Sequence, residues 1–363
     1  MQTRSPIRVL VVDDSAVMRS LLRMTLATCP EIELVGVAID GVAGLEAIER
    51  HTPDLVLLDI EMPRMNGLEV LAAIRARNLP VKVIMCSTLT RRGAAITLDA
   101  LAHGATDYVA KPSAQNGVRE GLEALSRELL PKILALFSAR DGRANRNRTA
   151  AQPLCIAPCP VAPAPSTAQV LAIGVSTGGP AALEKLLPAL PPDLPLPVLI
   201  VQHMPALFTA LLAERLNGLC KMPVHEARSG EIPQAGHVYL ARGDWHMQAI
   251  GAAGRCSLRL TQSAPEQYCR PSVDVLFRSA ATVYGPGVLA VVLTGMGSDG
   301  LDGCRAIHAA GGRILVQDRE TSAVWGMPGV VAEAGLADGI LPLDTLAGEI
   351  VRSTMRFAER EPA

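Results

Sequence analysis

No run of apolar residues in this sequence is long enough to cross a bilayer, so no membrane-spanning helix is expected. Nor is there an excess of either charge. The 34 Lys and Arg stand against 35 Asp and Glu, well mixed, for a net charge of −1, and neither a nucleic-acid nor an anionic-membrane surface follows. A secretory leader pattern is lacking too, because the apolar stretch in MQTRSPIRVLVVDD is short and leads directly into acidic residues. A cytoplasmic protein is expected. Its eight cysteines include no CxxC pair, and Cys86, Cys220 and Cys304 lie in or beside apolar segments, as reduced structural thiols do. Cys155 and Cys159 lack the His or further Cys that would complete a metal site. What the sequence does have is length: 363 residues are enough for two domains, each with its own core.

From Ile7 to about Phe137, short apolar runs (RVLVV, ELVGVAI, DLVLLDI, VKVIMCS, DYVAK) alternate with amphipathic segments, the last a long helix through Glu120–Phe137. Such alternation means a five-stranded parallel sheet with helices on both faces, in the flavodoxin-like manner, and ligands then bind outside the carboxyl ends of the strands. Those ends carry Asp13 and Asp14, Asp59, Ser87 and Thr88, and Lys111. Carboxylates crowded on one rim repel unless a cation sits among them, and an all-oxygen set suits Mg²⁺. Lys111 would complement added anionic oxygens, and Ser87 could donate to one. The set fits a carboxylate that accepts a phosphoryl group.

The motifs VVDDS, LLDIEMPRMNG and DYVAKP resemble those of response-regulator receiver domains across this whole segment, residues 1–137. The resemblance implies that Asp59 is the phosphoacceptor and that Asp13 and Asp14 hold Mg²⁺ with it. It also implies that Lys111 contacts the phosphoryl group, Ser87 is the switch hydroxyl and Tyr108 the aromatic switch position. Residues 138–168 change character: Arg140, Arg143, Arg146 and Arg148 give way to repeated Pro and Ala, which read as a semi-rigid solvated linker.

The second domain, 169–363, alternates again and is expected to be a Rossmann-like, mostly parallel α/β sheet with an inserted antiparallel hairpin, HVYLARGDWHMQAI with RCSLRL. Its organising stretch is VLAIGVSTGGP, Val170 to Pro180, where an apolar strand ends in a glycine-rich turn before a helical pattern. Such a turn exposes a Ser Oγ and aims helix-start N–H groups at a developing oxyanion, although the same pattern can cradle a phosphate or simply turn. Ser176, His203 and Asp299 each follow an apolar strand and would meet on one rim as nucleophile, base and orienting acid. Asp318 also ends a strand and is the strongest rival acid; His225, His237, His246 and His308 are rival bases, and Asp244, Asp274 and Asp302 further rival acids.

GVSTGGP, VQHMP, RPSVDVLF, LTGMGSDG and QDRETSAVWGMPG resemble the catalytic domain of the chemotaxis protein-glutamate methylesterases, the CheB family. The order receiver, linker, esterase matches too. This resemblance implies Ser176 as nucleophile, His203 as general base, Asp299 as orienting acid, and Thr177 with the Met296 N–H as oxyanion donors. In YLARGDWH, Arg242 stands where the family usually has Pro. The implied substrate is a γ-glutamyl methyl ester on methyl-accepting chemotaxis receptors, with specific receptor glutamines deamidated by the same chemistry and no cofactor for the esterase. A histidine kinase would phosphorylate Asp59, releasing a catalytic rim that the receiver covers when unmodified. Two other readings are a phosphorylation-dependent binding effector and the same esterase in a sensory pathway outside motility.

Overall fold

Leucine, valine and isoleucine runs form the strands, and capping side chains fix where the first helices begin. In Ile7–Val12 (β1), five of the six residues are buried, as expected of a parallel strand covered on both faces. Ser15 then accepts a hydrogen bond from Met18 N–H and starts Ala16–Ala27 (α1). Asp40 does the same for Gly41–His51 (α2), and Asn66 with Glu69 forms a reciprocal capping box at Gly67–Ala76 (α3). The structure, a computed structural model, describes residues 5–112, 118–138, 168–252 and 254–358. The linker expected at 138–168 falls almost wholly outside them.

The chain divides into two compact units, Met1–Phe137 and Ser138–Ala363. In the first, Ile32–Ala38 (β2), Leu55–Asp59 (β3), Lys82–Ser87 (β4) and Asp107–Ala110 (β5) join β1 in an all-parallel sheet of order β2-β1-β3-β4-β5. Arg91–Ala102 (α4) and Val118–Phe137 (α5) complete its helices. Because β1, β3, β4 and β5 are consecutive neighbours, Asp13, Asp59, Ser87 and Lys111 share one rim.

The second unit is built on a seven-stranded sheet. In chain order its strands are Val170–Val175 (β6), Val198–Gln202 (β7), Val224–Glu226 (β8), Val238–Leu240 (β9), Val288–Val292 (β12), Arg313–Gln317 (β13) and Gly339–Leu341 (β14). They lie in the order β14-β13-β12-β6-β7-β9-β8, and every pairing is parallel. His246–Ile250 (β10) and Ser257–Thr261 (β11) form a separate antiparallel pair. The hairpin is therefore shorter than the sequence pattern suggests: VYL joins the main sheet, and only HMQAI pairs with SLRLT. The helices are Gly179–Leu186 (α6), Ala206–Leu219 (α7), Val273–Tyr284 (α8), Leu301–Ala309 (α9), Met327–Glu333 (α10) and Leu343–Ala358 (α11). Phe208, Tyr239 and Phe277 are the largest side chains of its buried core.

Register places the functional rim. Val175 is paired with Gln202, and Val292 with Gly174, so the residues following β6, β7 and β12 emerge side by side. Gly174 is required there, because a Cβ on it would fall 2.4 Å from Val273 Cγ1.

Candidate active site

Ser176 follows β6 directly. Its N–H donates to Thr294 O at 3.0 Å, and the buried Gln202 side chain donates through Nε2 to Ser176 O at 3.0 Å and to His203 O at 3.3 Å. One amide thus fixes the backbone of both residues. Gln202 reaches them only because residue 179 is glycine: a Cβ there would lie 1.9 Å from Gln202 Oε1. Gly179→Ala is expected to cost about 1–3 kcal/mol, the usual range for overpacking. A lowered urea midpoint with an unchanged slope would show it; an unchanged midpoint would mean that Gln202 moves freely aside.

Asp299, three percent exposed, lies at the amino end of α8. Its Oδ1 accepts from Ser272 Oγ at 2.8 Å and Asp274 N–H at 2.9 Å, and its Oδ2 from Val273 N–H at 2.8 Å and His203 Nε2 at 2.7 Å. A helix start favours an anion, and four donors leave no acceptor site idle. Burial alone would raise the Asp299 pKa, but the hydrogen bonds, that from His203 foremost, hold it below the usual carboxylate range. Burial likewise pulls His203 down, and the bonds to Asp299 and Cys269 outweigh it, pushing the imidazole up to about 10.

With Nε2 committed to Asp299, Nδ1 is the ring nitrogen that faces a nucleophile, and it already meets the Cys269 thiol, whose Sγ stands 3.6 Å away. Ser176 Oγ itself has no hydrogen-bond partner among the described residues. The N–H groups of Thr177 and Met296 donate to no acceptor among the described residues either, and Gly295 packs its Cα face on the Ser176 side chain. Two unspent donors beside an unspent hydroxyl suit the oxyanion of an acyl-transfer intermediate.

The rivals have other occupations. Asp318 closes its own turn, accepting from Thr321 N–H and Oγ1 at 3.0 and 2.6 Å. Asp244 pairs with Arg270, Asp302 with Arg305, and Asp274 accepts from Gly303 N–H. His225 pairs with Glu231, His237 stacks on Tyr239, and the buried His246 accepts from Ser272 N–H at 3.2 Å. His308 is exposed on α9. Arg242 lies over the Trp245 ring, 5.9 Å from its centroid. Gln202, Ser272 and Cys269 are site residues to which sequence reasoning assigned no role, although the motifs VQHMP and RPSVDVLF contain the first two.

On the rim of the first unit, Lys111 Nζ bridges Asp13 Oδ2 at 2.9 Å and Asp59 Oδ1 at 2.7 Å. Burial pushes the Asp59 carboxyl up to about 6 against the pull of Lys111, while bonds to both acids hold Lys111 above its usual value despite burial. Carboxylate oxygens of Asp13, Asp14 and Asp59 lie within 4.8 Å of one another. This hard, all-oxygen set fits Mg²⁺. Ser87 Oγ accepts from Thr97 Oγ1 at 2.6 Å, and Tyr108 is buried, with Lys132 Nζ 4.9 Å from its ring centroid.

Among family models, that of the CheB methylesterase matches residues 171–350 and that of the response regulator receiver domain residues 9–123. A protein-glutamate methylesterase/protein-glutamine glutaminase of Trichodesmium erythraeum is 45% identical, over 95% of this chain and 98% of its own. The protein of the same name from a Nocardioides species is 48% identical, over 98% and 97%. The crystal structure of the Thermotoga maritima CheB methylesterase catalytic domain superposes with a TM-score of 0.50 at 39% identity, covering 51% of this chain and 98% of that one.

Proposed function

Because this chain belongs to the CheB methylesterase family and carries a response-regulator receiver domain ahead of the catalytic one, we propose that Ser176, His203 and Asp299 make it a phosphorylation-regulated protein-glutamate methylesterase and protein-glutamine glutaminase. The observation that supports the residue assignment is the His203–Asp299 pair beside Ser176, on the ends of neighbouring parallel strands. Ser176 Oγ attacks the glutamyl ester carbonyl and gives its proton to His203 Nδ1. Asp299 holds the ring and its positive charge. The N–H groups of Thr177 and Met296 face the oxyanion. On collapse, His203 returns the proton to the leaving methoxide, and methanol departs. Water then attacks the acyl-enzyme with the same base, releasing the glutamate carboxylate and Ser176. From a glutamine side chain the leaving group is ammonia. An uncharged receptor side chain becomes an anion, a change able to bias a two-state helical bundle.

In the receiver, Asp59 is the proposed phosphoacceptor and a histidine kinase the donor. At neutral pH Asp59 is mostly ionised, as a nucleophile must be, and Lys111 stays protonated to receive the new charge. Asp13, Asp14 and Asp59 would hold Mg²⁺, which when bound neutralises phosphoryl oxygens. The substrate is assigned to the cytoplasmic helices of methyl-accepting chemotaxis receptors, and the enzyme to the cytoplasm.

The test is methanol release from methylated chemoreceptor membranes with Mg²⁺, with and without a small-molecule phosphodonor. The donor should raise the rate of the wild type and leave Asp59→Asn at its basal rate. Equal stimulation of both would remove Asp59 from the control. No release under any condition would reject the substrate.

A further inference from the structure

Beside the catalytic base lies a turn whose shape and residues conflict. Glu266 N–H donates to Cys269 O at 3.1 Å and Cys269 N–H to Glu266 O at 2.7 Å, closing a two-residue turn. Its central residues, Gln267 and Tyr268, have φ of 50° and 62°. Turns with two successive positive φ values favour Asn-Gly, and a bulky aromatic there is strained. Burial does not compensate, because Tyr268 is 102% exposed. The surroundings nonetheless hold the turn on three sides. Arg278 Nη2 grips both Glu266 oxygens at 2.8 and 2.6 Å, Ser298 Oγ, next to Asp299, reaches Gln267 Oε1 at 3.4 Å, and Cys269 Sγ meets His203 Nδ1. A strained turn that displays a ring to solvent and is tied to the neighbours of two catalytic residues has the character of a ligand clamp.

We propose that Tyr268 is a specificity-determining residue, an aromatic anchor that packs against the apolar surface of the substrate helix within a turn of the modified glutamate. The proposal rests on the methylesterase reading above. The ester group is small and common to every methylated glutamate, so choice among protein substrates must come from contacts outside it. An aromatic side chain with few rotatable bonds provides large contact area with little ordering cost, and it stands next in sequence to the residue touching the base.

The experiment is steady-state methanol release from methylated receptor membranes by the phosphodonor-activated full-length protein, separating KM from kcat. Tyr268→Ala should raise KM about ten-fold, as loss of an interface anchor does, with kcat within about two-fold. Tyr268→Gly, which suits the turn, should show the same loss, and Tyr268→Phe should retain the wild-type KM. Unchanged KM in the Ala and Gly variants would overturn the anchor. So would a fall in kcat at constant KM, which would mean that the turn acts through Cys269 on His203. If the wild type itself releases no methanol, the methylesterase reading falls and the anchor with it.

Discussion

Ser176→Ala releases no measurable methanol from receptor membranes, a loss on the order of 10⁶-fold, while phosphorylation of Asp59 proceeds as in the wild type. The expectation follows from the inventory around His203 Nδ1. Two nucleophiles are candidates for that nitrogen: the Cys269 thiol, 3.6 Å from it, and the Ser176 hydroxyl on the neighbouring strand end. Only Ser176 is surrounded by unspent N–H donors, whereas the Cys269 N–H is committed to Glu266 O. An attack by Cys269 would leave its oxyanion without those donors. Methanol assay and phosphorylation assay on one preparation separate chemistry from folding. Turnover retained in Ser176→Ala would transfer the nucleophile to Cys269.

Asp299→Asn should lower kcat by roughly 10³- to 10⁴-fold, through the wrong imidazole tautomer and the lost charge. Structure loses as well. The carboxylate faces four donors, so an amide NH₂ must point at two of them, whichever way it turns. Unsatisfied donors at the start of α8 cost about 1–3 kcal/mol. The pH dependence supplies a second check. His203 acts as a base only when neutral, and its pKa is raised, so kcat/KM should climb with pH along a limb whose midpoint lies above 6.5. In Asp299→Asn that limb moves down, because the main charge-stabilising partner is gone. A wild-type limb at or below 6.5 would contradict the pairing. The same shift makes the pair stabilising: its contribution is fully present below the unfolded-state value near 6.5 and is lost as pH rises through the folded value of about 10.

Much of this arrangement is written locally in the sequence. Alternating strand and helix patterns locate the carboxyl ends of the strands; Asp59 is the last residue of its strand, and Asp13, Lys111, Ser176 and His203 each come directly after theirs. Their convergence then depends only on strand order. Gln202, Ser272 and Cys269 are harder to read. Gln202 looks like one more strand residue until Gly179 is known to lie over it, and Ser272 serves Asp299 across 27 residues. Neither contact has a period. Strands β8 and β14 are too short for alternation to register, at three residues each. Tryptophan and histidine following VYL extend its apparent strand into the hairpin, although the chain turns between them, with Asp244 at a φ of 65°.

The seven-stranded sheet has β14 and β8 at its two margins. Margins this short present few unpaired N–H and C=O groups, too few to template an incoming extended segment. Recognition by strand addition, in which a partner's backbone is read along its length, therefore finds little purchase on the margins of this sheet. What remains is the rim at the centre of the sheet, β12, β6 and β7, where a partner offers a single protruding side chain. On the proposed reading, an enzyme so built edits a receptor helix without unwinding it.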